Sequence, residues 1–178
     1  MQRIGLLVAI CAVSAACAST GAVPQPFPSP RGPAPGSGAP AAPAASAPAP
    51  PLTAEEALGH RIAATALEYR GVRYRNGGAN PDGFDCSGLV AYVFNRHGRA
   101  VPRQTSAQFT VGLSVDRSAL RAGDLVFFST VAPGASHVGI ALDDDEFVHA
   151  PSSQGVVRVE RLTNPYWRTR FVGARRVN

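Results

Sequence analysis

A long stretch near the start of the chain cannot fold on its own. From Val23 to Pro51 the sequence consists almost entirely of Pro, Ala, Ser and Gly, and it has no periodic apolar face. Such a segment cannot bury enough surface to offset the entropy lost on ordering, so we expect a disordered, partly extended tether over residues 18–52. Of the 178 residues, those from Thr53 to Asn178 are left to build a core, which is enough for one domain.

The first 17 residues have the pattern of an export signal. Arg3 precedes an apolar run from Ile4 to Val13, and small residues lead from there to Cys17. The run is short for a permanent membrane span. Residues 14–17 resemble the lipobox of bacterial lipoproteins, although Ser14 stands where an aliphatic residue is usual. We therefore expect residues 1–17 to be a signal peptide that ends at a lipidated Cys17, with cleavage by the general signal peptidase near the same point as the alternative.

The remaining sequence changes from helical to strand periodicity. Apolar residues at helical spacing follow Thr53, which has a capping-box partner in Glu56, and they recur from Cys86 to Gly98. From Leu120 onward the apolar runs are short and separated by turn residues, at Leu125–Phe128, His137–Leu142, Glu146–Ala150, Gly155–Leu162 and Arg170–Val177. The helices come first, and the strands that follow are joined by tight turns. This order predicts an α+β fold with an antiparallel sheet.

Cys86 stands between a glycine-rich loop and an apolar helix. Residues 74–83 combine paired Gly, Asn-Pro and Asp-Gly and cannot continue a helix, whereas the apolar residues after Cys86 follow helical spacing. A helix N-terminus stabilises a thiolate and offers N–H groups to an oxyanion, so this position suits a nucleophile and predicts a lowered thiol pKa. The alternative is a small buried apolar residue, which is common for free cysteine.

The cysteine count favours the nucleophile. The chain has three cysteines, of which Cys11 lies in the signal and Cys17 is acylated or lost with it. Cys86 is then the only thiol left. Exported proteins usually pair their cysteines, so a lone thiol there indicates nucleophilic catalysis.

Two of the four histidines are expected to meet at one end of the sheet. His137 opens one predicted strand and His149 ends the next, and in an antiparallel hairpin these two points are neighbours. The pairing predicts Cys86 as nucleophile, His137 as the base that later protonates the leaving amine, and His149 as the residue that fixes the His137 tautomer. A zinc site is the rival use of these residues, and no ligand pair at short spacing supports it.

The net charge gives little support to a nucleic-acid partner. The formal charge of +5 comes from arginine alone, because the chain contains no lysine. Arginines and acidic residues are interspersed, without a basic run or interleaved aromatic residues, so we expect no nucleic-acid binding. A mild positive charge would suit an anionic partner such as cell wall or acidic lipid.

Six blocks of the sequence, in order, resemble the NlpC/P60 family of cell-wall peptidases, in the form of its small bacterial lipoproteins. The blocks are Tyr74 with Gly77-Gly78, Phe84–Val90, Pro102-Arg103, Gly123–Phe128, Ser136–Ile140 and Phe147–Ala150. The resemblance implies a papain-like α+β fold, in which N-terminal helices that include the cysteine helix pack on an antiparallel sheet, with residues 53–178 as the catalytic domain. It also implies a thiol endopeptidase that hydrolyses stem-peptide amide bonds of peptidoglycan, typically the D-γ-glutamyl–meso-diaminopimelate bond.

Residue roles follow from the same resemblance. By position, Cys86 matches the nucleophile of the family, His137 the base and His149 the third polar residue. Positions that match the substrate cleft or the oxyanion region are Tyr74, Asp85, Ser87, Arg103 and Ser136. We expect neither a metal nor another cofactor.

The expected setting is the bacterial envelope. Ala18 and Ser19 lack the aspartate that favours inner-membrane retention of lipoproteins, so we expect an outer-membrane lipoprotein that faces the periplasm, with a soluble periplasmic or secreted protein as the alternative. The expected partners are peptidoglycan stem peptides and, through lipidated Cys17, the membrane, and we expect a monomer. A wall-binding scaffold without activity, or an amidase or acyltransferase, remains open on the same fold.

Overall fold

The computed structural model of the protein describes residues 51–152 and 155–177. The predicted signal peptide, Cys17 and nearly all of the predicted tether lie outside these residues. In the described part of the chain, no helix has both the length and the apolar character needed to cross a membrane.

Helices dominate the first half of the described residues. The four α-helices are α1 (Ala54–Leu67), α2 (Cys86–Arg96), α3 (Thr105–Gln108) and α4 (Pro165–Arg168), and Arg117–Ala119 forms a 3-10 turn. The predicted capping box is present: the Thr53 hydroxyl accepts from the Glu56 backbone N–H, and the Glu56 carboxylate accepts from the Thr53 N–H. Gly98 follows the end of α2 at a φ of +70°, a conformation that glycine adopts without strain.

The strands form a small hairpin and one larger sheet. The hairpin pairs β1 (Ala79–Asn80) with β2 (Gly83–Phe84) just before α2. The sheet has six antiparallel strands in the order β3-β8-β4-β5-β6-β7. Their bounds are β3 Leu113–Val115, β4 Leu125–Phe128, β5 His137–Ala141, β6 Glu146–His149, β7 Arg158–Arg161 and β8 Phe171–Arg176. The predicted α+β class with an antiparallel sheet is confirmed, whereas β1, β2, β3 and α4 were not predicted.

Both faces of the sheet are covered, because its central strands are apolar on both sides. On one face, Phe127 and Val138 join a core with the buried residues of α1 and α2. On the other face, Phe128 and Phe147 pack with Trp167 of α4. Each such side chain contributes about 1.5–3 kcal/mol through burial, so the helix that begins at Cys86 is firmly seated on the sheet.

The register of β5 and β6 brings the two strand histidines to the same end of the sheet. Ile140 pairs with Val148, so His149 lies diagonally from His137 on one face. Diagonal neighbours are within reach of long or aromatic side chains. Gly139 makes room between them, because a Cβ there would lie 2.6 Å from the Phe147 ring and 3.3 Å from the His149 Cβ.

Candidate active site

A polar network fixes the N-terminus of α2. The Asp85 carboxylate accepts a hydrogen bond from the Gly88 backbone N–H at 2.7 Å, and Arg103 donates to both of its oxygens, at 2.9 and 2.6 Å. Arg103 also donates to the Ser87 hydroxyl at 2.9 Å and to the Gly78 carbonyl at 3.3 Å. Three residues that we expected at the substrate cleft, Asp85, Ser87 and Arg103, are therefore in mutual contact.

The same network sets the charge of Asp85. Burial acts to raise the pKa of the carboxyl, but the Arg103 guanidinium and the Gly88 N–H outweigh it, so the pKa is lowered. Arg103 and Asp85 thus form a charged, bidentate pair, the geometry in which an arginine–carboxylate contact is strongest. The pair is well suited to hold the start of α2 in one position.

The Cys86 sulfur lies at the first residue of α2, half-buried beside Thr105. The Cys86 Sγ and Thr105 Oγ1 atoms are 3.7 Å apart. Burial raises the pKa of the thiol and the Asp85 carboxylate adds to this, while the Thr105 hydroxyl and the backbone N–H groups of Val138 and Ser87 act in the opposite direction. Our expectation of a lowered pKa at the helix N-terminus is therefore wrong, because the loss of solvent around the sulfur outweighs the stabilisation that the helix end gives.

Tyr74 shares this environment. Burial raises the pKa of its phenol, and the neighbouring Cys86 and Asp85 add to the effect. The sulfur thus has the tyrosine and the Asp85–Arg103 pair as neighbours. Cys86 packs against the core cluster that contains Val138, the residue after His137, so it lies against strand β5.

The two strand histidines contact each other directly, as the topology predicted. The His137 Nε2 and His149 Nδ1 atoms are 2.8 Å apart, and the two rings are perpendicular. His137 is 5 % exposed and His149 is fully buried. Burial lowers the pKa of His137 to about 4 and that of His149 well below its ordinary value. Both imidazoles are therefore neutral at pH 7.

This contact determines which nitrogen of His137 can act as a base. Because Nε2 bonds to His149, only Nδ1 is left to take a proton from another group. With Nδ1 unprotonated, Nε2 carries the hydrogen and donates it to His149 Nδ1, and His149 then carries its own hydrogen on Nε2. That Nε2 atom is buried and has no hydrogen-bond partner among the described residues.

Trp167 packs against both imidazoles and was not predicted from the sequence. Its ring stacks on His137 at a centroid distance of 5.6 Å and meets His149 nearly edge to face at 4.9 Å. It lies in α4, which Asn164 caps by accepting the Tyr166 backbone N–H at 2.9 Å. The available signal was the only tryptophan of the chain, placed just after an Asn-Pro helix start. Thr105, beside the sulfur, was missed as well.

Ser136 holds the loop between β4 and β5. Its hydroxyl accepts from the backbone N–H of Thr130 at 2.9 Å and of Ala132 at 3.4 Å. These bonds engage the oxygen that we expected near the substrate. Its part in binding, like that of Tyr74, Asp85, Ser87 and Arg103, stays a prediction.

The cysteine and histidines do not form a cluster suited to a metal ion. Over residues 51–152 and 155–177, no three His, Cys, Asp or Glu side chains are grouped as metal ligands would be. The two histidines direct one nitrogen each at the other. The roles of Cys86, His137 and His149 in proton transfer stay a prediction.

An open cavity of about 420 Å³ adjoins His137. Strand β7 contributes Arg158 and Glu160 to its wall, and α4 contributes Tyr166 and Trp167. Val131, which is 75 % exposed, lies at its rim. The cavity shares no residue with the Asp85–Arg103 network. The cavity beside His137 and the network at the start of α2 are therefore two distinct regions of the candidate site.

The comparison with protein families gives one match that spans the site. A family model described as "NlpC/P60 family" matches residues 71–176. This range includes the glycine-rich loop, α2, and all strands from β1 to β8.

Curated proteins of bacteria are similar to the same region. The chain is 45% identical over 118 residues to the "Murein DD-endopeptidase MepS/Murein LD-carboxypeptidase" of Escherichia coli. The aligned region covers 66% of this chain and 62% of that protein. It is 40% identical over 111 residues to the "Probable endopeptidase NlpC" of the same organism, over 61% of this chain and 71% of that protein. The chain thus spans less than two thirds of the first relative's length.

Solved structures agree in fold. The NlpC/P60 domain of peptidoglycan hydrolase SagA superposes with a TM-score of 0.58 at 36% identity, over 67% of this chain and 97% of that chain. An NlpC/P60 family protein from Bacillus cereus superposes with a TM-score of 0.63 at 30% identity, over 67% of this chain and 40% of that chain.

Proposed function

The chain belongs to the NlpC/P60 family, and on this premise we propose that it is a cysteine endopeptidase that hydrolyses stem-peptide bonds of peptidoglycan. The observation that carries the proposal is the 2.8 Å contact between the buried, neutral imidazoles of His137 and His149, on a sheet whose strand β5 packs against Cys86. The relatives named as murein endopeptidases and the peptidoglycan hydrolase of similar fold support peptidoglycan as the substrate.

The reaction begins with an uncharged Cys86 thiol and an uncharged His137 imidazole. As the Cys86 sulfur attacks the carbonyl carbon, its proton passes to His137 Nδ1, and the carbonyl oxygen becomes an oxyanion that backbone N–H groups at the start of α2 can stabilise. The imidazolium then gives that proton to the amine nitrogen, the C–N bond breaks and a thioester remains. Water attacks the thioester carbon while His137 accepts one of its protons. The C–S bond then breaks, the carboxylic acid is released, and His137 returns the proton to the sulfur, which restores the thiol.

His149 has the role of orienting the base. Its Nδ1 accepts the Nε2–H of His137 and so keeps Nδ1 of His137 free for the thiol proton. A neutral imidazole stabilises the imidazolium less than a carboxylate would, and His137 has a pKa of about 4. The proton is therefore transferred as the sulfur attacks, and no stable thiolate–imidazolium pair forms beforehand.

Two bonds are candidates for cleavage. The first is the D-γ-glutamyl–meso-diaminopimelate bond, which the family resemblance implies. The second is a cross-link between two D-centres, which the names of the murein DD-endopeptidases of E. coli favour. In both cases the amine that leaves belongs to diaminopimelate. Tyr74, Asp85, Ser87, Arg103 and Ser136 are the proposed substrate and oxyanion positions.

The proposed setting is the outer membrane, facing the periplasm. Residues 1–17 would serve as the signal, lipidated Cys17 as the anchor, residues 18–52 as the tether and residues 53–178 as a monomeric catalytic domain without metal, cofactor or nucleic acid. Relatives of this chain are named as murein endopeptidases, and murein lies outside the cytoplasm, which supports an extracytoplasmic location. The intact mass of the mature protein tests the anchor, because a first residue beyond Cys17 without an acyl group would contradict it.

The peptidase proposal is tested with purified sacculi and the Cys86→Ala variant. Because the sulfur is the nucleophile, we expect the variant to lose cleavage by at least about 10³-fold while it keeps the wild-type circular dichroism spectrum. Mass spectrometry of the released fragments identifies the bond that is cut. Cleavage retained by Cys86→Ala would contradict the proposal. Release of whole stem peptides from glycan would indicate an amidase, and binding without cleavage by the wild type would indicate a scaffold.

A further inference from the structure

The cavity beside His137 is placed to receive the part of the substrate that leaves. In the proposed reaction His137 hands its proton to the leaving amine, so that nitrogen must lie within hydrogen-bond reach of the imidazole. His137 lines the cavity, and the Asp85–Arg103 network lies outside it. The residue that carries the leaving amine therefore extends into the cavity. This step rests on the proposed function.

The wall of the cavity contains a charged side chain that faces the histidine pair. Arg158 is directly opposite His149 in the register of β6 and β7, so both side chains lie on the same face of the sheet. Its neighbour on that face is Glu160, two residues along β7. The rim is apolar, with Val131 and Tyr166 exposed, so the charges are concentrated on the β7 side.

The Arg158 guanidinium has one ion-pair contact, at Nε, and its other nitrogens are open. Its Nε contacts Glu160 Oε1 at 2.9 Å. Among the described residues, this guanidinium forms no side-chain hydrogen bond and no other ion pair. The Arg158 side chain is 51 % exposed, against 23 % for Glu160. The two terminal nitrogens therefore present a planar fork, the geometry that binds a carboxylate through two parallel hydrogen bonds.

We propose that Arg158 binds a carboxylate of the leaving residue, and that Glu160 positions the guanidinium through their ion pair. Diaminopimelate, which leaves at either candidate bond, carries a carboxylate at its D-centre. The subsite thus selects a leaving residue that has this carboxylate over one that lacks it. Glu160 also lowers the net charge of the wall, so the selection comes from the arginine fork rather than from a general positive field.

The test uses three stem-peptide probes built on whichever bond the wild type cuts. The leaving residue is diaminopimelate, diaminopimelate with its D-centre carboxylate amidated, or lysine, which has no such carboxylate. We expect the wild type to cleave the first probe with a kcat/KM at least about tenfold above the other two, since a charge-assisted hydrogen bond is lost with each of them. Arg158→Gln should lower kcat/KM for the first probe about tenfold, mainly through KM, and leave the other two unchanged.

Two further variants complete the design. Arg158→Lys should give an intermediate loss, because an ammonium group cannot form the bidentate contact. Arg61→Gln, an exposed arginine of α1 outside the cavity, is the matched control and should behave as the wild type. An equal loss on all three probes in Arg158→Gln, or a wild type that does not distinguish them, would overturn the inference. A wild type that cleaves no stem peptide would instead overturn the peptidase proposal.

Discussion

At the scale of single residues, the protonated state of Cys86 is the feature that most affects the chemistry. Burial of the sulfur and the nearby Asp85 raise its pKa, and burial also keeps both histidines neutral. At neutral pH Cys86 is therefore a thiol and both histidines are neutral imidazoles, so in the proposed reaction the thiolate forms only as the substrate is attacked. This differs from cysteine sites in which a positively charged neighbour lowers the thiol pKa.

Alkylation by iodoacetamide tests this state. Because the thiolate is the species that reacts, the rate at Cys86 should rise with pH and reach its midpoint above 9.0, the ordinary value for cysteine. Thr105→Val should move the midpoint higher still, since the Thr105 hydroxyl acts to lower the thiol pKa. The rate is measured by mass spectrometry against glutathione as a reference thiol. A plateau already reached below pH 7 would mean that a thiolate–imidazolium pair exists beforehand.

The sequence was informative about which residues meet and less so about their environment. The contact between His137 and His149 could be predicted, because strand order and turn position determine that these residues share one end of the sheet. The thiol pKa could not, because the loss of solvent around the sulfur depends on how α3 and β5 pack against α2. Trp167 and Thr105 reach the site from distant parts of the chain, and no local pattern indicates that contact.

At the scale of elements, the start of α2 depends on close contact with the glycine-rich loop. The Asp85 backbone N–H donates to the Gly78 carbonyl at 3.0 Å. A Cβ at Gly88, in the first turn of α2, would collide with that same carbonyl oxygen. The absence of a side chain at Gly88 therefore allows the loop to lie against the helix that carries Cys86.

Gly88→Ala tests this contact through the sign of its effect. In an exposed helix, alanine is more stable than glycine by about 1 kcal/mol, whereas overpacking against backbone costs about 1–3 kcal/mol. We expect the variant to be destabilised, as measured by urea unfolding, and to lose activity because Cys86 moves. Ala64→Gly, at an exposed position of α1, calibrates the helix propensity and should cost about 1 kcal/mol. A stabilised Gly88→Ala would show that the loop can move away freely.

Long elements with clear end signals were predicted well, and short ones were not. The Thr53–Glu56 capping box and Gly98 delimit α1 and α2, and the apolar runs indicate the central strands. Strands β1 and β2 have two residues each, and α4 has four. Such elements have too few residues for a period to appear, and β3 is a largely exposed strand without an apolar pattern. Their formation depends on the neighbours that they pair with.

At the scale of the whole molecule, the buried histidine pair makes stability depend on pH. In the unfolded chain a histidine takes up a proton near its ordinary pKa of 6.5, whereas folded His137 does so only near 4. Between these values the unfolded state binds more protons, so stability falls as the pH is lowered from 6.5 to 4. His149 acts in the same direction.

Urea unfolding at several pH values measures the effect. For His137 alone, the difference between a pKa of 6.5 and one of about 4 corresponds to a loss of about 3 kcal/mol across this range. His137→Gln should remove much of the pH dependence, whereas His60→Gln, at an exposed position of α1, should keep it. An unfolding free energy that stays the same from pH 6.5 to 4 would contradict the assignment of both histidines as buried and neutral.

The half-buried, protonated sulfur also bears on how long such an enzyme can last outside the cytoplasm. Peroxide oxidises a thiolate to sulfenic acid far faster than it oxidises a thiol, so a raised pKa slows this damage. Cys86 is the one cysteine in the part of the chain that the structure describes, so no second thiol there could restore it through a disulfide. The packing that raises the thiol pKa therefore also keeps the sulfur reduced, at the cost of requiring a base, which we propose to be His137, to remove its proton in each reaction.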